Sequence, residues 1–148
     1  MADAVTYAGL ILSVSAGVPA TYDASGFGAL TYSAVGEVTT APGSGGKTFE
    51  DVSYTVLADR ATKHLKGTSD QAEQTLEVID DRSDAGQILL KAALESDNQY
   101  AFKVLYNNGE IDYFQALVTG YEGEGGDANA LRMSTVTFRR DYRNVVEA

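Results

Sequence analysis

The chain has 148 residues, 44% hydrophobic and 22% charged, the size and composition of one globular domain able to bury its own core. It has no cysteine and a single histidine, His64, which excludes a disulfide framework, thiolate metal sites and paired-histidine metal sites. A net charge of −10 excludes a grip on nucleic acid by phosphate neutralisation, which needs clustered Lys and Arg.

No composition break marks a second domain, so residues 1–148 read as one domain, and no repeat appears at solenoid periods. The run from Tyr7 to Ala20, "YAGLILSVSAGVPA", has the small-residue ending of a signal peptide. Only Asp3 is charged ahead of it, where a signal peptide needs positive charge, and it is too short and interrupted to span a membrane. The expectation is a first strand at 7–14. Another is expected at 31–40.

Residues 41–48, "APGSGGKT", satisfy the looser form of a phosphate-binding loop: a small residue, four of any kind, then Gly46, Lys47 and Thr48. That motif requires a helix to begin at the Lys-Thr, so that backbone N–H groups and the helix dipole meet the phosphates. The residues that follow, "FEDVSYTVLAD", alternate Val52, Tyr54 and Val56 with Ser53, Thr55 and Leu57, which predicts a strand at 51–58. The match is therefore read as a loop. From Gly36 to Glu50 the chain reads "GEVTTAPGSGGKTFE", and the loop of about 36–51 is longer than a hairpin requires, so it is either a binding segment or a plain flexible connector.

A strand is expected at 73–79. Ser83 and Asp84 then offer capping oxygens before "AGQILLKAALES", where Gly86, Leu89, Leu90, Ala93 and Leu94 fall on one stripe, predicting a packed helix over about 83–96. Leu90 and Leu94 are the expected core residues. "QYAFKVLY" at 99–106 alternates, Asn107-Asn108-Gly109 is a hairpin turn, and 111–119 is the return strand. A strand at 131–139 follows a Gly- and acid-rich loop. The pattern is mainly β: a sandwich or partly closed barrel with one packed helix and a long Gly-rich loop.

The charge is unevenly placed. Residues 67–131 hold thirteen acids against three bases, residues 1–66 carry −2, and residues 132–148 carry +2 through Arg132, Arg139, Arg140 and Arg143. A solvated acidic surface is one reading of the middle segment. The basic C-terminal stretch offers charge complementary to an acidic body, as between stacked subunits.

Four stretches together resemble the major tail tube protein of long-tailed (siphovirus-type) bacteriophages: "GVPATYDASGFGALTYSAVGEV" (17–38), "HLKGTSDQAEQTLEV" (64–78), "DDRSDAGQILLKAAL" (80–94) and "LRMSTVTFRRDY" (131–142). Leu65-Lys66-Gly67 with Asp70, then Asp84-x-Gly86-Gln87 opening a helix, carry most of the likeness, which covers roughly 8–142. The resemblance implies a β-sandwich with one helix, known also from contractile tails and type VI secretion tubes. It implies a structural subunit of homo-oligomeric, hexameric rings stacked into a hollow tube, part of a virion made in the host cytoplasm. Other tail proteins would sit at the tube ends.

By position, the loop reaching the neighbouring ring would be Thr39, Thr40, Ala41, Pro42, Gly43, Ser44, Gly45, Gly46, Lys47, Thr48 and Phe49. An acidic lumen would let DNA pass without sticking, and the candidates for it are Glu37, Glu50, Asp51, Glu73 and Glu77. No catalytic, cofactor-binding or metal-binding residues and no membrane anchor are expected. The alternatives are another β-sandwich virion component, such as a capsid decoration protein, a secretion-tube protein, or an enzyme using paired carboxylates.

Overall fold

The computed structural model describes residues 6–43, 46–141 and 145–147. Ser44, Gly45 and Arg143, named above, lie outside the described residues.

Eight strands form one curled, half-barrel sheet. In chain order the elements are β1 (Ile11–Ser15), α1 (Ala24–Gly28), β2 (Ser33–Ala34), β3 (Val38–Thr40), β4 (Lys47–Val56), β5 (Ala61–Gln71), β6 (Glu73–Ile79), α2 (Ala85–Glu95), β7 (Tyr100–Leu105), β8 (Ile111–Gly123), β9 (Met133–Arg140) and β10 (Val145–Glu147). The large sheet runs β2-β1-β7-β8-β9-β6-β3, and β10 adds to the start of β8. Strands β4 and β5 pair only with each other, as a separate two-stranded ribbon.

Alternation builds the core. Leu12 and Val14, Leu76 and Val78, Phe102 and Val104, Phe114, Ala116 and Val118, and Val136 and Phe138 turn one face of five strands inward, and Leu90 and Ala93 of α2 close it. Phe102, Phe114 and Phe138 stack with centroids 5.1–5.8 Å apart. Leu90 is fully buried, whereas Leu94 is only partly buried at the edge of the cluster. The Asn107-Asn108-Gly109 turn joins β7 to β8, with Gly109 at φ 93°.

In the Asp84-x-Gly86-Gln87 segment, Asp84, Gly86 and Gln87 each have a physical reason. Asp84 is the N-cap of α2, and its Oδ2 accepts from Gln87 N (3.0 Å) and from Gly36 N (3.1 Å). A Cβ on Gly86 would stand 2.4 Å from Ala34 O and 2.6 Å from Val35 Cα, so only glycine lets the helix start this close to the β2–β3 passage. Buried Gln87 donates to Gly36 O (3.2 Å) and Ile79 O (2.9 Å) and accepts from Asp81 N (2.9 Å). It satisfies three backbone groups around the start of α2.

Three differences from the sequence expectations matter. The 31–40 strand is broken: β2 and β3 flank a bend with Glu37 at φ 61°. The irregular part of the 36–51 segment is short, because Val38–Thr40 is β3 and Lys47 already begins β4. The 51–58 strand is one arm of a hairpin whose other arm, β5, was not anticipated.

Candidate functional site: a projecting hairpin and an uncovered sheet face

Lys47 and Thr48 open a strand, so the phosphate-loop pattern lacks the helix N-terminus that it needs. Among the described residues no group of three or more His, Asp or Glu side chains is placed to hold a metal ion. No helix among them is long and apolar enough to cross a membrane.

Nearly every described residue of the β4–β5 hairpin is exposed. At about 3.3 Å per residue its ten-residue first arm is roughly 30 Å long. Pairing runs from Lys47↔Gln71 to Val56↔Ala61, with a bulge between Phe49 and Asp51. The register sorts the side chains onto two faces. One face carries Lys47, Phe49, Asp51, Ser53 and Thr55 opposite Gln71, Ser69, Lys66, His64 and Thr62. There His64 Nδ1 lies 3.0 Å from Asp51, Thr55 and Thr62 hydroxyls bond at 3.1 Å, and the Lys47 and Lys66 ammonium groups sit over the Phe49 ring.

The other face carries Val52, Tyr54 and Val56 opposite Leu65, Lys63 and Ala61. Val52 is 48% exposed, Tyr54 44%, Leu65 57% and the tip residue Leu57 91%. A bare two-stranded ribbon is marginal in water, and an apolar stripe along one marks an interaction surface.

The second feature is the face of the large sheet turned away from α2. Beside the patch covered by α1 and Tyr113, it presents cross-strand rows. Glu77 pairs with Thr135 and Thr135 with Glu122; Thr75 pairs with Thr137; Glu73 pairs with Arg139. Thr40 Oγ1 donates to Glu77 (3.2 Å) and Thr135 Oγ1 to Glu124 (2.7 Å). These rows are mostly hydroxyls and carboxylates; Arg139, 3.8 Å from Glu73, and Leu117 opposite it lie among them, and Lys103 is further along the same face beside Tyr113.

Of the five lumen candidates, Glu73 and Glu77 therefore share this face. Glu50 and Asp51 stand on the separate ribbon, and Glu37 is an exposed bend residue. Glu122 and Glu124 join these rows without having been anticipated. The alternation of β9 points Thr135 and Thr137 outward, but only the β8 bulge between Val118 and Gly120 brings Glu122 opposite Thr135.

The loop candidates divide in the same way. Thr39 and Thr40 are on β3 and Lys47, Thr48 and Phe49 on β4, which leaves Ala41, Pro42, Gly43 and Gly46 as connector. Pro42 is buried, and Gly43 O accepts from Gln74 Nε2 and Arg140. The long paired element of this region is the hairpin, which begins at Lys47.

The basic residues are also placed differently from one another. Arg132 is exposed and bonds Asp80 at 3.1 Å, and Arg139 is half-exposed. Arg140 is 7% exposed, lies 3.7 Å from the centroid of the Phe114 ring and donates to Gln74 and Gly43. Burial pulls its guanidinium down to about 10, opposed by the nearby Asp112 and Tyr106, and it remains protonated at neutral pH. Arg140 is thus committed to partners within its own chain.

No protein-family model matches the chain, and no curated protein does. Solved structures do. A chain in the PVC extracellular contractile injection system sheath/tube terminator superposes with TM-score 0.65 at 13% identity, covering 99% of both chains. The SPP1 tail tube matches with TM-score 0.62 at 12% identity over 94% of this chain and 76% of that one. The tail of the empty GTA particle, refined with C6 symmetry, matches with TM-score 0.62 at 13% identity over 94% and 96%. The fold is that of tail tube proteins.

Proposed function

We propose that this protein is the structural, non-enzymatic subunit of a tail tube, a single domain that assembles into six-membered rings stacked as a hollow conduit. The observation that carries this reading is the hairpin: a paired ribbon of about 30 Å with an uncovered apolar stripe, on a fold shared with tube subunits. The stripe formed by Val52, Tyr54, Val56, Leu65 and Leu57 is buried against another copy of the chain. The charge agrees, since residues 47–71 hold four bases and four acids and are neutral, while the whole chain is −10. A neutral arm reaches an acidic neighbour without the repulsion that two acidic bodies feel.

The wall of Glu73, Thr75, Glu77, Glu122, Thr135 and Thr137 lines the lumen in this reading. Its carboxylates repel phosphate and its hydroxyls stay hydrated, so DNA slides past without adhering. The particle is a phage tail made in the host cytoplasm, with other tail proteins at the tube ends. The likeness to a contractile injection system over 99% of both chains favours a second reading, the tube of an injection particle with different cargo.

The test is electron microscopy of the purified protein beside the double variant Val52→Ser, Leu65→Ser. The parent forms rings or tubes of uniform width, and the variant stays folded and monomeric. A parent that forms neither at high concentration, or a variant that polymerises as readily as the parent, sinks the proposal.

A further inference from the structure

The hairpin is tied to the body on two sides, near Gly43 and at the junction Gln71–Ala72–Glu73, and both meet the last two residues of β9. Arg140, on the core face, donates to Gly43 O on the first side and to Gln74 Oε1 just beyond the second. Gln74 Nε2 donates to the same Gly43 O at 3.3 Å. Arg139, on the opposite face, donates through Nη1 to Gln71 O at 3.5 Å and lies 3.9 Å from Asp70 and 3.8 Å from Glu73. Gln71, 6% exposed, donates its Nε2 to Asp141 O immediately after β9. Beyond this root, the ribbon has no extensive packing against the large sheet among the described residues.

A lever fixed only at its root is aimed by its root. For an arm of roughly 30 Å, a tilt of roughly 10° moves the tip by about 5 Å, the spacing of one strand. We infer that Arg139 and Arg140 are positioning residues, a two-sided clamp that sets the direction in which the hairpin projects. Arg140 is the dominant half because it is buried. Its planar fork holds Gly43 O and Gln74 together while its face rests on the Phe114 ring, a geometry that a lysine ammonium does not reproduce. Only the consequence for assembly rests on the tube reading; the clamp itself is a property of one subunit.

The chain has no cysteine, so two introduced thiols can be labelled uniquely. Spin labels at Leu57→Cys on the tip and Asp97→Cys on the body, in dilute monomer, report tip-to-body distances by pulsed electron resonance. The parent gives one narrow distribution, Arg140→Gln a broad one, and Arg140→Lys one between them, with unchanged circular dichroism. A distribution for Arg140→Gln as narrow as the parent's overturns the clamp. If Arg140→Gln does not fold, Gln74→Ala removes one Arg140 acceptor and the second donor to Gly43. Broadening in that variant supports the clamp, and an unchanged distribution overturns it. Where the parent polymerises, Arg140→Gln raises the critical concentration by roughly tenfold, about the effect of one lost charge-assisted hydrogen bond. A parent that does not polymerise counts against the tube reading alone, because the distance measurement is made on single subunits.

Discussion

Gly86→Ala sets two physical effects against each other. Alanine is the better helix former by about 1 kcal/mol, so local propensity favours the variant. Geometry opposes it. The new Cβ would stand 2.6 Å from Val35 Cα, roughly 1 Å inside the usual carbon–carbon contact of about 3.5 Å. Both partners are backbone, so no rotamer change relieves the clash and the start of α2 must lift away from the β2–β3 passage. Overpacking of this kind costs about 1–3 kcal/mol. Lifting the helix also stretches the bonds from Asp84 to Gly36 and from Gln87 to Gly36, each worth about 1 kcal/mol. The expected net loss is about 2–4 kcal/mol, or about 6–13 °C in Tm for a domain of this size. Urea unfolding of the dilute monomer, followed by far-ultraviolet circular dichroism, measures it. Gly125→Ala is the control, since no atom lies within 4 Å of its added Cβ, and it should change stability by less than about 0.5 kcal/mol. A Gly86→Ala variant as stable as the parent would refute the claim that this glycine is required by close approach.

Leu90→Ala removes a side chain that is 0% exposed at the centre of the core and should cost about 2–5 kcal/mol in the same assay; a loss below about 0.5 kcal/mol would mean that α2 does not pack as described. Replacing Glu73 and Glu77 together by Lys should leave tubes able to form but make them retain DNA at low salt, where attraction is least screened. Equal retention by parent and variant would remove that face from the lumen.

Much of the fold was legible because burial imposes a period. The strands at 73–79, 99–106, 111–119 and 131–139 and the helix near 83–96 all face one core, so their apolar residues recur at intervals of two or of three and four. The Asn-Gly turn was legible for a local reason, the positive φ that Gly109 adopts. The segment "ATKHLKGTSDQ" was not legible as a strand. Both its faces meet water in the isolated subunit, so nothing forces its side chains to alternate, and only the ladder to β4 reveals it. Helix α1 escaped notice because "ASGFG" is too short for a period; it is held by the Asp23 cap and by Phe27 packed on Tyr113.

The site was legible to a lesser degree, for a related reason. The mainly β class, the stripe of α2, the acidic balance and the failure of the phosphate-loop pattern can be read from the chain alone, because all are properties of near neighbours or simple sums. Which acids share a face was settled by folding, because a bulge in β8 sets the register that brings Glu122 opposite Thr135. Folding likewise pairs β4 with β5 as a hairpin and turns Arg140 inward to Gly43, 97 residues away in the chain. Pairings over such separations depend on how strands align after the chain has folded back, and no local pattern of side chains encodes that alignment.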